Sequence, residues 1–101
     1  MPREALSRLR CQPRQFSPQR GERLAISFFL GREMSVDVFI FNGAGRLQRK
    51  VLDAAPLGPG GNVVWWDGKD RRHQFVPTGP YLVVVQAGDQ RLQQGVVVWN
   101  Q

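Results

Sequence analysis

The sequence contains a single cysteine, a single histidine and no long apolar run, and each scarcity removes a class of function. Cys11 alone excludes an internal disulfide, and within one chain it excludes a cysteine-built zinc site and a redox dithiol. His73 has no discernible nucleophile or orienting partner, so a general-base role is disfavoured and no catalytic residue is expected. The longest apolar stretches, residues 81–85 and 95–99, are strand-sized and fall well short of the roughly 20 residues of a membrane-spanning helix. No segment shows a sustained helical period, and there is no internal repeat. Residues 2–10 lack the apolar segment and cleavage site of a secretory signal, so an export signal, if the domain is exported, is not present in this stretch.

Acidic residues are also few, 8 against 14 Lys and Arg in 101 residues, for a net charge of +6. The excess is uneven. Residues 1–23 carry six Arg and two Glu, so +4 of the +6 falls there. A basic N-terminal arm over residues 1–10, followed by one domain over 11–101, is the expected organisation.

Eleven Gly and seven Pro punctuate the remainder, which alternates with the two-residue period of half-buried strands. Leu24, Ile26 and Phe28 share one face; Val36, Val38 and Ile40 share another. Asn42-Gly43-Ala44-Gly45 is a hairpin turn, because Asn and Gly tolerate the positive φ that tight turns demand. The charged run 46–52 predicts an edge strand, residues 53–61 a Pro/Gly loop, and Gly88-Asp89-Gln90 a final turn. With a ragged first strand near Leu9–Gln12, the chain predicts an all-β sandwich of about seven antiparallel strands.

Phe16-Ser17-Pro18, Val38–Asn42 with Gly45-Arg46, Trp66–Asp70, and Val76-Pro77-Thr78-Gly79-Pro80-Tyr81 together resemble the bacterial FlgD-like immunoglobulin-like domain, over about residues 11–99. That resemblance implies an immunoglobulin-like (fibronectin III-like) sandwich that acts as a spacer, anchor or assembly module of exported or surface proteins. It brings no catalytic, metal or cofactor residues, and it implies an extracytoplasmic location. The loop Gln19–Glu22 is shorter and more basic than in many relatives, and His73 stands where they usually have Gly. Histidine is among the residues enriched at positive φ.

The crowded segment over residues 65–85 is then a fold corner, a hard turn feeding a central strand. Asp67 and Asp70 fall short of the oxygen ligands a hard cation needs and stand beside Lys69, Arg71 and Arg72, so they are read as turn-forming acceptors with Gly68 and Gly79. Tyr81 is placed to tie the corner through its hydroxyl. Trp65 and Trp66 must point to opposite faces, with Trp66 inward.

A sandwich strand needs one apolar face, yet three strands here carry two. With Val36, Val38 and Ile40 inward, Phe39 and Phe41 face out; with Tyr81, Val83 and Val85 inward, Leu82 and Val84 face out; Val97 and Trp99 extend the set. As neighbours in one sheet they predict a docking stripe for a protein partner or neighbouring subunit, unless the N-terminal segment covers it through Leu6 and Leu9. An alternative is a basic nucleic-acid or anionic-glycan binder using residues 3–23 with Arg71, Arg72 and Trp65. It is disfavoured for want of a second interleaved aromatic and basic row.

Overall fold

A computed structural model describes residues 5–100. The chain forms eight strands: β1 (Leu6–Gln12), β2 (Gln15–Phe16), β3 (Leu24–Leu30), β4 (Met34–Asn42), β5 (Leu47–Leu57), β6 (Gly60–Trp66), β7 (Gly79–Ala87) and β8 (Gln90–Val98). A 3-10 turn, Pro18–Arg20, lies between β2 and β3. The strands make two sheets, ordered β1-β3-β6 and β2-β8-β7-β4-β5, so the fold is an all-β sandwich.

The inward faces are those the alternation predicts. Leu24, Ile26, Phe28 and Leu30 of β3 face Val36, Val38 and Ile40 of β4, with Tyr81, Val83 and Val85 of β7 and Val96 and Val98 of β8 completing the core. The three doubly apolar strands are indeed neighbours, β8-β7-β4. Turn chemistry sets the register. Asn42 Oδ1 accepts the amides of Ala44 and Arg46 at 3.0 and 2.9 Å and closes the β4–β5 hairpin, while Gly88-Asp89 alone joins β7 to β8.

Four expectations need correction. Residues 6–10 are not an arm: β1 starts at Leu6, which is buried in the core, and pairs with β3. Leu6 is therefore spent inside the sandwich, and β1 does not lie over the outer face of β8-β7-β4. Residues 1–4 of the expected arm lie outside the described residues. The strand count rises because Gln15-Phe16 forms β2, which pairs with β8 in parallel, against the expectation of wholly antiparallel strands.

The expected loop 53–61 is mostly strand. β5 continues to Leu57, leaving only Gly58-Pro59 to cross between the sheets. An edge strand tolerates Pro56 because no neighbour needs its missing N–H, and Pro56 does pair with Ser35 at that edge. A bulge absorbs the irregularity: Ala54 takes φ 49° and donates its N–H to Asp37 Oδ1 at 2.8 Å.

Candidate interaction surfaces

The corner after β6 is held by its acids. Asp67 Oδ1 accepts the Lys69 amide at 3.0 Å and the Arg49 guanidinium at 3.2 Å. Asp70 Oδ1 accepts the amides of Arg72 and Gln74 at 2.8 and 3.1 Å, and the Gln74 and Arg72 hydrogen bonds hold its carboxyl below the usual carboxylate range. His73 adopts φ 63°, as its place in the turn predicts. Gly68, at φ 77°, lies so close to Pro18 that an added Cβ would stand 2.1 Å from the proline ring. Gly79 opens β7, and Tyr81 donates its hydroxyl to the Pro77 carbonyl at 2.7 Å. Burial of that phenol raises its pKa. Trp66 is buried, donating its indole N–H to the Lys69 carbonyl at 3.0 Å, while Trp65 is 53% exposed.

These contacts close the turn. Among the described residues no three His, Cys, Asp or Glu side chains form a group able to hold a metal ion.

The outer face of β8-β7-β4 differs from the expected uniform stripe. Phe39 pairs with Val84, and Val84 with Gln93; Phe41 pairs with Leu82, and Leu82 with Gly95. Val84 faces outward yet is wholly buried. Its cross-strand neighbours close over it: the Phe39 and Phe41 rings lie 6.1 Å apart, and the Lys50 ammonium caps Phe39 at 5.3 Å. Phe39, Phe41 and Leu82 are half-buried. Val97, 39% exposed, sits in register between Pro80 and Gln15. Trp99, just past the end of β8, lines a second cleft with Gln15, Arg20 and Glu22.

What remains open is a groove of about 510 Å³ whose lining includes Phe41, Gly43, Pro80, Leu82, Arg91 and Gly95. It exists because Gly95 has no side chain beside Leu82. No backbone need explains that glycine: its φ is not in the left-handed region, and an added Cβ would approach only the Tyr81 carbonyl, at 3.9 Å. Glycine inside a strand costs about 0.5–1 kcal/mol relative to alanine and commonly marks the close approach of another chain or ligand.

Arg71 and Arg72 border a polar groove with Arg46, Gln48 and Asp70. The Arg71 amide donates to the Gln48 carbonyl at 3.0 Å, docking this turn on β5. The cation over Trp65 is instead Arg23, at 5.4 Å.

Solved structures share this architecture. PorZ, described as an essential bacterial surface component of the type-IX secretion system of Porphyromonas gingivalis, superposes with a TM-score of 0.65 at 18% identity, over 91% of this chain and 11% of that one. FlgD of P. aeruginosa gives 0.60 at 22% identity, over 75% of this chain and 59% of that one. The Pseudomonas fluorescens alkylpurine DNA glycosylase AlkC, bound to DNA containing an abasic site analogue, gives 0.60 at 19%, over 92% and 29%. At these identities the likeness establishes the fold, and the chain spans less than two thirds of each protein. No family model matches the sequence, and no curated protein matches it.

Sequence reasoning placed the corner residues but gave Gly95 and Phe29 no role; it named Pro80 only within the corner motif and Arg23 only within the basic stretch 3–23, with no link to Trp65. Two signals were present: a glycine interrupting the strand pattern of 90–98, and the Phe28-Phe29 doublet, one ring of which must face out.

Proposed function

We propose that this chain is a non-catalytic, FlgD-like immunoglobulin-like module that joins a protein partner or neighbouring subunit within an exported or cell-surface bacterial structure. The groove beside Gly95 carries the reading. Its walls, Phe41, Leu82 and Pro80, are apolar and stationed on rigid strands, and Val97 continues them along β8. A partner side chain seated there is worth about 1.5–3 kcal/mol if large and apolar, and the surrounding half-buried rings add contact area without further ordering. The likeness to FlgD and to PorZ, a bacterial surface component of a secretion system, supports the same reading through the fold. No cofactor is invoked.

Gly95→Glu tests it. The strand accepts a side chain at this position, so the variant stays folded while a carboxylate fills the groove. In the organism that makes the protein, the tagged parent chain is expected to fractionate outside the cytoplasm with a large assembly, and the variant to be released from it. A chain found free in the cytoplasm, or a variant that remains assembled, contradicts the proposal.

A further inference from the structure

The second sheet has an outer face of a different kind. Its rows, read across β1, β3 and β6, are Gln12–Ala25–Trp65, Arg10–Ser27–Val63 and Ser7–Phe29–Gly61. Ala25 and Ser27 give the central strand a low floor, and the exposed side chains of Trp65, Val63 and Phe29 stand around it. Arg23 lies over the Trp65 ring, and Arg8 lies over the Phe29 ring at 5.3 Å. Arg10 stands between them, opposite Ser27. None of the three strands contains Asp or Glu.

The Arg8 arrangement is costly for the chain. A register shift in β1 puts Arg8 at φ 58°, a conformation that costs an ordinary residue roughly 1–2 kcal/mol. Its result is a guanidinium plane stationed on a half-open aromatic ring. Backbone strain of this kind concentrates at functional sites.

We infer that this face binds single-stranded nucleic acid, with bases stacking on the Trp65–Arg23 and Phe29–Arg8 pairs and phosphates meeting Arg8, Arg10 and Arg23. Along β3, Ala25 and Phe29 are four residues apart, so the two aromatic and cationic pairs are separated by roughly 13 Å at 3.3–3.4 Å per residue. A segment of about four nucleotides, the low end of a single-domain site, spans such a platform. This is the second interleaved row that the sequence alone did not reveal, built from residues distant in the chain. An acidic peptide satisfies the three guanidinium groups but makes no use of two flat rings already paired with cations. Bases use both, because every base has a π face and arginine planes stack on it. The face is on the opposite sheet from the Gly95 groove and stands independently of the assembly reading.

The test is fluorescence anisotropy of a dye-labelled ten-nucleotide single-stranded DNA titrated with the full chain, from 50 to 300 mM salt. Sodium polyglutamate and heparin serve as competitors of matched charge without bases. Binding is expected at 50 mM salt, with log K falling against log salt at a slope of about −2, since three neutralised phosphates contribute about −0.7 each. Trp65→Ala is expected to weaken binding about 5- to 150-fold, Trp65→Phe to restore most of it, and Arg8→Gln with Arg23→Gln to flatten the slope to about −0.7. Gly95→Glu should bind the oligonucleotide as the parent does. Absence of binding at 50 mM salt, displacement by polyglutamate as efficient as by unlabelled oligonucleotide, or unchanged affinity in a folded Trp65→Ala variant each overturns the inference.

Discussion

The Trp66 indole meets the Tyr81 ring edge to face, with centroids 5.9 Å apart, and Phe16 approaches the same indole from another side at 5.7 Å. These three rings join β2, β6 and β7 and so tie both sheets together at the end of the sandwich where the long corner begins. Paired rings in such geometry contribute about 0.5–1.5 kcal/mol beyond the area they bury.

Removing only the phenol hydroxyl, in Tyr81→Phe, leaves the ring contact and deletes the bond to the Pro77 carbonyl. The expected loss is about 1 kcal/mol in urea unfolding, with an unchanged m-value. A loss below about 0.3 kcal/mol would show that the corner does not depend on the hydroxyl.

Gly68 is the least replaceable residue of the corner. Gly68→Ala must place a methyl group against Pro18 and hold alanine at φ 77°. The left-handed conformation costs about 1–2 kcal/mol and the overpacking about 1–3 kcal/mol, so thermal or urea unfolding should show a loss of about 2–5 kcal/mol. Gly95→Ala, at an ordinary φ with room for a methyl group, should be neutral or slightly stabilising.

Cys11 is buried, and burial pushes its thiol from 9.0 up to about 11, against a smaller opposing effect of Arg14. In the unfolded chain the thiol ionises near its ordinary value, so above pH 9 deprotonation favours unfolding. The stability this residue contributes is fully present below pH 9 and lost as pH rises through 11, by about 2 kcal/mol. Urea midpoints measured from pH 7 to 11 should fall more steeply for the parent than for Cys11→Ala. Parallel profiles would refute the assignment, as would thiol labelling that proceeds in the native state without waiting for unfolding.

Much of this was legible in the sequence because strand periodicity and turn chemistry are local. The Trp65-Trp66 doublet declared one ring in and one out, and the Pro77–Tyr81 run declared a tied corner. What escaped depends on register. Val84 is hidden because Phe39 lies opposite it on another strand, and the groove exists because Gly95 falls opposite Leu82. Arg23 lies over Trp65 only because β3 and β6 pair with Leu24 beside Trp66. Residues 53–57 read as loop because Pro and Gly signal turns on average, whereas a sheet edge accommodates proline without loss of a ladder bond.

The Gly95 groove is tested most directly by replacing Gly95 with a photo-crosslinking amino acid in the producing organism, with the same substitution at Asp89 in the exposed β7–β8 turn as control. Illumination is predicted to yield one adduct of discrete mass at position 95, containing a protein of the exported assembly, and none at position 89. No adduct at position 95, or the same products from both positions, would contradict docking through this face.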